Sequence, residues 1–278
     1  TIFGVSRALD SGPLQSWYVN HERAHDPHAP VRVGLSRASA AASVAIALGA
    51  LITAAITHVG GAGGASGPVI AIAIPPLVAA TLFGLYGILV ALWLVPVRRG
   101  PRPRFREVLA DVPRILTSGF GLARSRGPLR RLLFYTAAIG AALAGIELLT
   151  PLHLSRLSTD TKATATVFAL LACAAFLVAG AGAWASPFLA RRFGSAPVTL
   201  IATTIVAAVA LAGAGLPGTV TAGGMYLFFY AALGAGEPLL DELTHDAVTS
   251  QHRTTMLSIR SMAFQAVGML TSVSAGWL

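Results

Sequence analysis

Residues 164–189 read TATVFALLACAAFLVAGAGAWASPFL, twenty-six residues without a charge. A helix needs roughly 20 mostly apolar residues to cross the hydrocarbon core of a bilayer. This stretch therefore predicts a transmembrane helix, and its Ala, Gly, Ser and Thr suit close packing of helices in lipid. Six more runs of similar length flank it: Ala38–Thr57, Leu77–Val97, Leu132–Thr150, Val198–Leu216, Ala222–Leu240 and Leu257–Leu278. Seven spans follow, with Thr1–Gly12 as the tail of an eighth. Three spans carry a charge, at Glu147, Glu237 and Arg260. The whole chain is 55% hydrophobic and 11% charged, where a soluble domain carries about 25% charged residues. A transmembrane barrel would show segments of about ten alternating residues, and none stands here. The predicted fold class is an all-α, polytopic membrane protein, a partial bundle of about seven helices plus a stub.

The cations set the orientation. Alternate loops are unequal: one set holds Arg23, Arg32, Arg37, the arginines from Arg98 to Arg131, Arg191, Arg192, Arg253 and Arg260. The other set holds Arg156 and Lys162. Arg and Lys accumulate in cytoplasmic loops, so the first set is expected in the cytoplasm and residues 58–67 outside. The formal charge of +9 then reflects loops facing anionic lipid and needs no nucleic acid.

A pass for repeats finds two related blocks. Ala8-Leu9-Asp10-Ser11-Gly12-Pro13-Leu14 is answered by Ala232-Leu233-Gly234-Ala235-Gly236-Glu237-Pro238-Leu239. Each is followed by a stretch holding acids and histidines, His21–Pro30 and Asp241–His252, and then by an Arg and a new span. Arg32 with Leu35-Ser36 answers Arg253 with Leu257-Ser258. Six spans separate the copies, an even number, so both have the same topology. Parallel repeats of this kind relate two six-helix halves about an axis along the membrane normal. Twelve spans are then expected in the whole. The first three, most of the fourth and the twelfth would lie outside this chain, which opens on Thr1 and closes on Leu278.

This arrangement resembles the major facilitator superfamily, and within it the bacterial drug-efflux-like transporters. Residues Arg7–Asn20 look like the end of the family's fourth helix, with Asn20 in the place of an acid. The basic segment Arg98–Arg131 is similar to the cytoplasmic linker joining the halves. The loop motif Gly-x-Leu-Ala-Asp-Arg-x-Gly-Arg-Lys is matched in part by Pro187-Phe188-Leu189-Ala190-Arg191-Arg192-Phe193-Gly194-Ser195-Ala196. That makes Arg191, Arg192 and Gly194 gating-loop candidates, with Arg191 standing where the motif has its acid. The antiporter signature of the fifth helix is absent from Ala38–Thr57. The resemblance implies three parts: residues 1–97 as helices four to six, 98–131 as linker, and 132–278 as helices seven to eleven. It implies a secondary transporter moving a small molecule by alternating access, with proton-coupled efflux as the default, in the cell membrane. Expected partners are the substrate, the bilayer and protons or another coupling ion. A pump's permease subunit, a channel and a non-transporting membrane protein are the rival readings.

Ionisable groups inside spans are costly and suggest function. Glu147 is either a protonatable or cation-binding group, or an interfacial carboxylate reaching water near Pro151. Glu237 precedes Pro238, which removes a helical N–H and loosens the ladder; it pairs with Arg260, or Arg260 snorkels to the surface. Arg7 and Asp10 form a similar pair or a solvated helix end. His153, His245 and His252 read as loop residues. Phe105, Val108, Leu109, Val112, Ile115, Leu116 and Phe120 recur at helical spacing, an interfacial pattern. Cys173, the one cysteine, excludes an intrachain disulfide and reads as packing. The sequence holds no phosphate-binding loop, no metal-ligand spacing and no nucleophile elbow. No cofactor, no metal and no enzymatic activity are expected.

Overall fold

The computed structural model describes residues 12–26, 29–61, 67–93, 117, 121–122, 124–157 and 161–277. Arg7, Asp10, the glycine-rich stretch 62–66 and nearly all of the linker, including its apolar stripe, lie outside the described residues. The described chain is helical, with no strand: α1 (Pro13–His25), α2 (Arg32–Gly61), α3 (Gly67–Trp93), α4 (Gly127–Leu157), α5 (Thr161–Arg192), α6 (Ala196–Gly213), α7 (Thr219–Asp246) and α8 (Arg253–Ala275). Each of the seven predicted spans corresponds to one of α2–α8. The shortest, α6 with 18 residues, is about 27 Å long, close to the roughly 30 Å core of a bilayer. Among the described residues, four stretches are long and apolar enough to cross a membrane: Arg32–Thr53, Gly127–Arg156, Val167–Arg192 and Ala196–Gly213. Pro76–Leu92 is a shorter apolar helix. The helices overrun the predicted spans. α4 starts at Gly127, so Arg130 and Arg131, read as linker, belong to its first turns.

The surface is inverted relative to a soluble protein. Leu77, Leu82, Leu92, Phe134, Trp184 and Val209 are all exposed. Apolar area on this scale needs a covering, and lipid supplies it at no cost in polar groups. Inside, small residues set the helix spacing. A Cβ on Gly182 would stand 2.2 Å from the Ala231 carbonyl oxygen, and one on Gly234 2.1 Å from that of Ala179. Glycine at both points lets α5 and α7 touch backbone to backbone. Ile146, Tyr226, Phe229 and Tyr230 fill the core beside them.

Contacts between residues 12–93 and 127–277 run through two seams: α2 lies along α5 and touches α7, and α1 meets α8. On the first seam Ser36 Oγ donates to the Ala183 carbonyl at 2.6 Å and Cys173 Sγ to that of Ala47 at 3.7 Å. Cys173 is thus a buried packing thiol. At the turn between α5 and α6, Gly194 has φ +83°, a left-handed conformation that glycine takes at no steric cost. Ser195 then caps α6, its Oγ accepting from Val198 N at 3.4 Å.

Candidate functional site

Successive helices alternate in direction, which gathers the end of α1, the start of α2, the end of α7 and the start of α8 at one end of the bundle. The last two turns of α7 carry Asp241, Glu242, His245 and Asp246. In a helix, residues four apart share a face, so Asp241 with His245, and Glu242 with Asp246, form two adjoining acidic rows. Arginines from three other helices meet them. Arg32 of α2 forks onto Glu242, Nε to Oε2 at 2.5 Å and Nη2 to Oε1 at 3.0 Å. Arg23 of α1 pairs with Asp246. Arg260 of α8 pairs with Asp241 and donates to Thr244 Oγ1 at 3.0 Å. Gln15 of α1 donates to the other Asp241 oxygen at 3.1 Å. Arg253, buried at the head of α8, donates to the side-chain oxygen of Asn20 on α1.

The cluster corrects the reading of Arg260. It neither pairs with Glu237 nor snorkels to the surface, since its side chain is 14% exposed and its carboxylate is Asp241. The helical rise explains the choice. Arg260 stands seven residues above the head of α8, about 10 Å, and its long side chain reaches back one turn towards the basic end. That brings it level with Asp241, whereas Glu237 sits a turn too far up. Glu237 instead is exposed and accepts from Ser39 Oγ of α2 at 3.0 Å.

His245 is a second correction. It is not a loop residue: it occupies the last turn of α7, is fully buried, and neither ring nitrogen has a hydrogen-bond partner. It lies beyond the apolar span that ends at Leu240. Burial pushes its pKa down to about 4; Asp241 opposes this, while Arg253, Arg260 and Arg23 reinforce it. The imidazole is held neutral among guanidiniums.

A separate constellation surrounds Glu147. Tyr230 OH donates to Glu147 Oε1 at 2.9 Å, and the Tyr230 ring lies 4.9 Å from Tyr226 and 5.7 Å from Phe176. Glu147 is exposed, but into a cleft of about 280 Å³ between α4 and α8, shared with Leu143, Phe264, Gln265 and Met269. A carboxylate, an amide and an apolar wall can hold a small molecule or exchange a proton.

Arg191 and Arg192 stand exposed in the last turn of α5 and join none of the ion pairs among the described residues. No group of His, Cys, Asp or Glu among the described residues is placed to hold a metal. Sequence reading passed over Arg23, Arg32, Glu242, Asp246 and Arg253 as site residues. Their one sequence signal was the recurrence of an acid-rich stretch and an arginine in both blocks. The family model of the Major Facilitator Superfamily matches residues 31–278. No curated protein and no solved structure matches the chain.

Proposed function

The chain belongs to the Major Facilitator Superfamily, a family of membrane transporters, and from that premise we propose a secondary active, proton-coupled exporter working by alternating access. The observation that carries the reading is Glu147: a span carboxylate, open to the α4–α8 cleft and held by Tyr230. In this reading residues 1–97 and 132–278 are two halves that rock against each other, the cleft lying within the second, with 98–131 as a cytoplasmic tether in the cell membrane. When the cleft faces the outside, Glu147 exchanges substrate for a proton. When it faces the cytoplasm, the proton leaves and the carboxylate again accepts from Tyr230. A charge moved through a dry interior is costly, so the loaded, neutral form is the one that crosses.

The ion pairs of α1, α2, α7 and α8 sit at the cytoplasmic end by the distribution of arginines. They would close that side while the cleft opens to the other. Arg191, Arg192 and Gly194 would act in the same closure through the turn after α5. Glu237, bonded to Ser39 across the two halves, is the second candidate for coupling.

Replacing Glu147 with Gln keeps the size and the bond from Tyr230 but removes titration. Proteoliposomes carrying Glu147→Gln should bind lipophilic reporters that the parent accumulates, yet lose accumulation driven by a pH gradient. Undiminished gradient-driven accumulation would take the coupling role away from Glu147.

A further inference from the structure

We propose that His245 is a proton-binding site whose occupation separates α1 from α7 and α8. The proposal rests on the alternating-access reading only in that this contact opens and closes. The geometry is that of a buried group on α7 between Asp241 and Asp246, the two carboxylates that α1 holds with Gln15 and Arg23. His245 is wholly out of water, and neither ring nitrogen has a partner. The charges that act on it are Arg23 of α1, Arg253 and Arg260 of α8, and Asp241 of its own helix. The remaining charges nearby are already matched: Arg32 of α2 holds Glu242, Arg23 holds Asp246, and Arg126 caps the Ala247 carbonyl at 3.2 Å. Asp241, the carboxylate on the histidine's own face, is engaged by both Arg260 and Gln15.

A proton arriving on His245 would add a fourth cation to three guanidiniums that share two carboxylates, Asp241 and Asp246. Two further buried donors in this contact, Arg23 Nε and Arg253 Nε, have no acceptor, so the contact already holds more donors than it satisfies. The closed contact therefore excludes the proton. Once α1 moves away, water reaches the ring and it titrates as an ordinary histidine. A ligand that binds one of two states shifts the population towards that state, and the proton here binds the open one.

The size of the shift follows from the two affinities. With about 4 in the closed contact and about 6.5 in water, lowering the pH from 7.5 to 5.5 should raise the open-to-closed ratio about tenfold.

The test uses the full chain in lipid nanodiscs, with Cys173→Ala and the buried Ser16→Cys of α1 as a reporter. Maleimide labelling is compared between this protein and the same protein carrying His245→Gln at each pH, so the thiol's own pH dependence cancels. The ratio of the two rates should rise about tenfold between pH 7.5 and 5.5. A ratio that stays flat overturns the proposal. Arg253→Gln provides a second arm, in case His245→Gln alters folding. Removing one facing cation should let the closed contact tolerate the proton, so the swing in labelling should shrink. An undiminished swing in Arg253→Gln also overturns the proposal. No substrate enters the assay, so a failure here leaves the Glu147 transport result standing, and the reverse.

Discussion

Arg32 and Arg253 open corresponding helices of the two repeated blocks, and each crosses to the other block. Arg32 finds the carboxylate of Glu242, in a two-point fork. Arg253 finds the amide oxygen of Asn20. The two arginines thus stand in corresponding places and both reach across, while the charge they meet differs. One arm is a neutralised pair. The other leaves a buried cation facing a neutral partner, and burying an unmatched charge is expensive. Across the cluster Arg23, Arg32 and Arg260 each form an ion pair, and Arg253 forms none among the described residues. The difference makes one side of the contact firm and the other easy to open.

Breaking the firm arm should have the largest effect. Glu242→Gln leaves Arg32 one hydrogen bond and no counter-charge in a part-buried position. The loss should be about 2 kcal/mol, which converts to roughly thirtyfold faster labelling of the Ser16→Cys reporter at pH 7.5. Labelling within twofold of the parent would mean that the Arg32 fork does not hold the contact closed.

Asn20→Asp sharpens the comparison by making the arms alike. Arg253 would gain a charge-assisted bond, worth about 1 kcal/mol over the neutral one, and labelling should slow roughly fivefold. The new carboxylate would also lie near His245, so the pH swing should narrow. Faster labelling, or a wider swing, would contradict the assignment of Arg253 as the unmatched cation.

The sequence made the scaffold readable and the latch only in outline. Seven apolar runs became seven helices because length and hydropathy are local properties. The glycines at 182 and 234 followed from composition, since small residues in spans mark close approach. Arg260 reads from sequence either as the partner of Glu237 or as a snorkelling cation, and Glu237 and Asp241 lie one turn apart on α7. Choosing between them requires the height at which α8 crosses, which no local pattern carries. The pairings of Arg23 with Asp246 and Arg32 with Glu242 span more than two hundred residues of chain, and only the fold brings them together. His245 was misread because an acid-rich, histidine-bearing stretch resembles a loop. Its burial is a tertiary property that its own neighbours in sequence do not carry. Glu147 stands out in sequence by the cost of charge in a span, while Tyr230, an ordinary core aromatic by sequence, gives no sign of being its donor.

The smallest effect is expected at the remaining ion pair, and it separates contact from consequence. Arg23 and Asp246 join α1 to α7 as directly as Arg32 joins α2 to α7, yet the Asp246 side chain is 49% exposed. Exposed pairs contribute about 0.2–1 kcal/mol, because water already solvates both charges well and salt screens the rest. Asp246→Asn removes the counter-charge of Arg23 and also weakens the field on Arg253, whose guanidinium feels the same carboxylate. Both changes loosen the contact, so the direction is fixed: labelling of the reporter should quicken, by no more than about fivefold, and less in high salt. The Arg32 fork, drier and two-pronged, should keep most of its thirtyfold effect under the same salt. If Asp246→Asn opened the contact as far as Glu242→Gln, burial would not be what distinguishes the arms, and the number of charges crossing between helices would decide their strength instead.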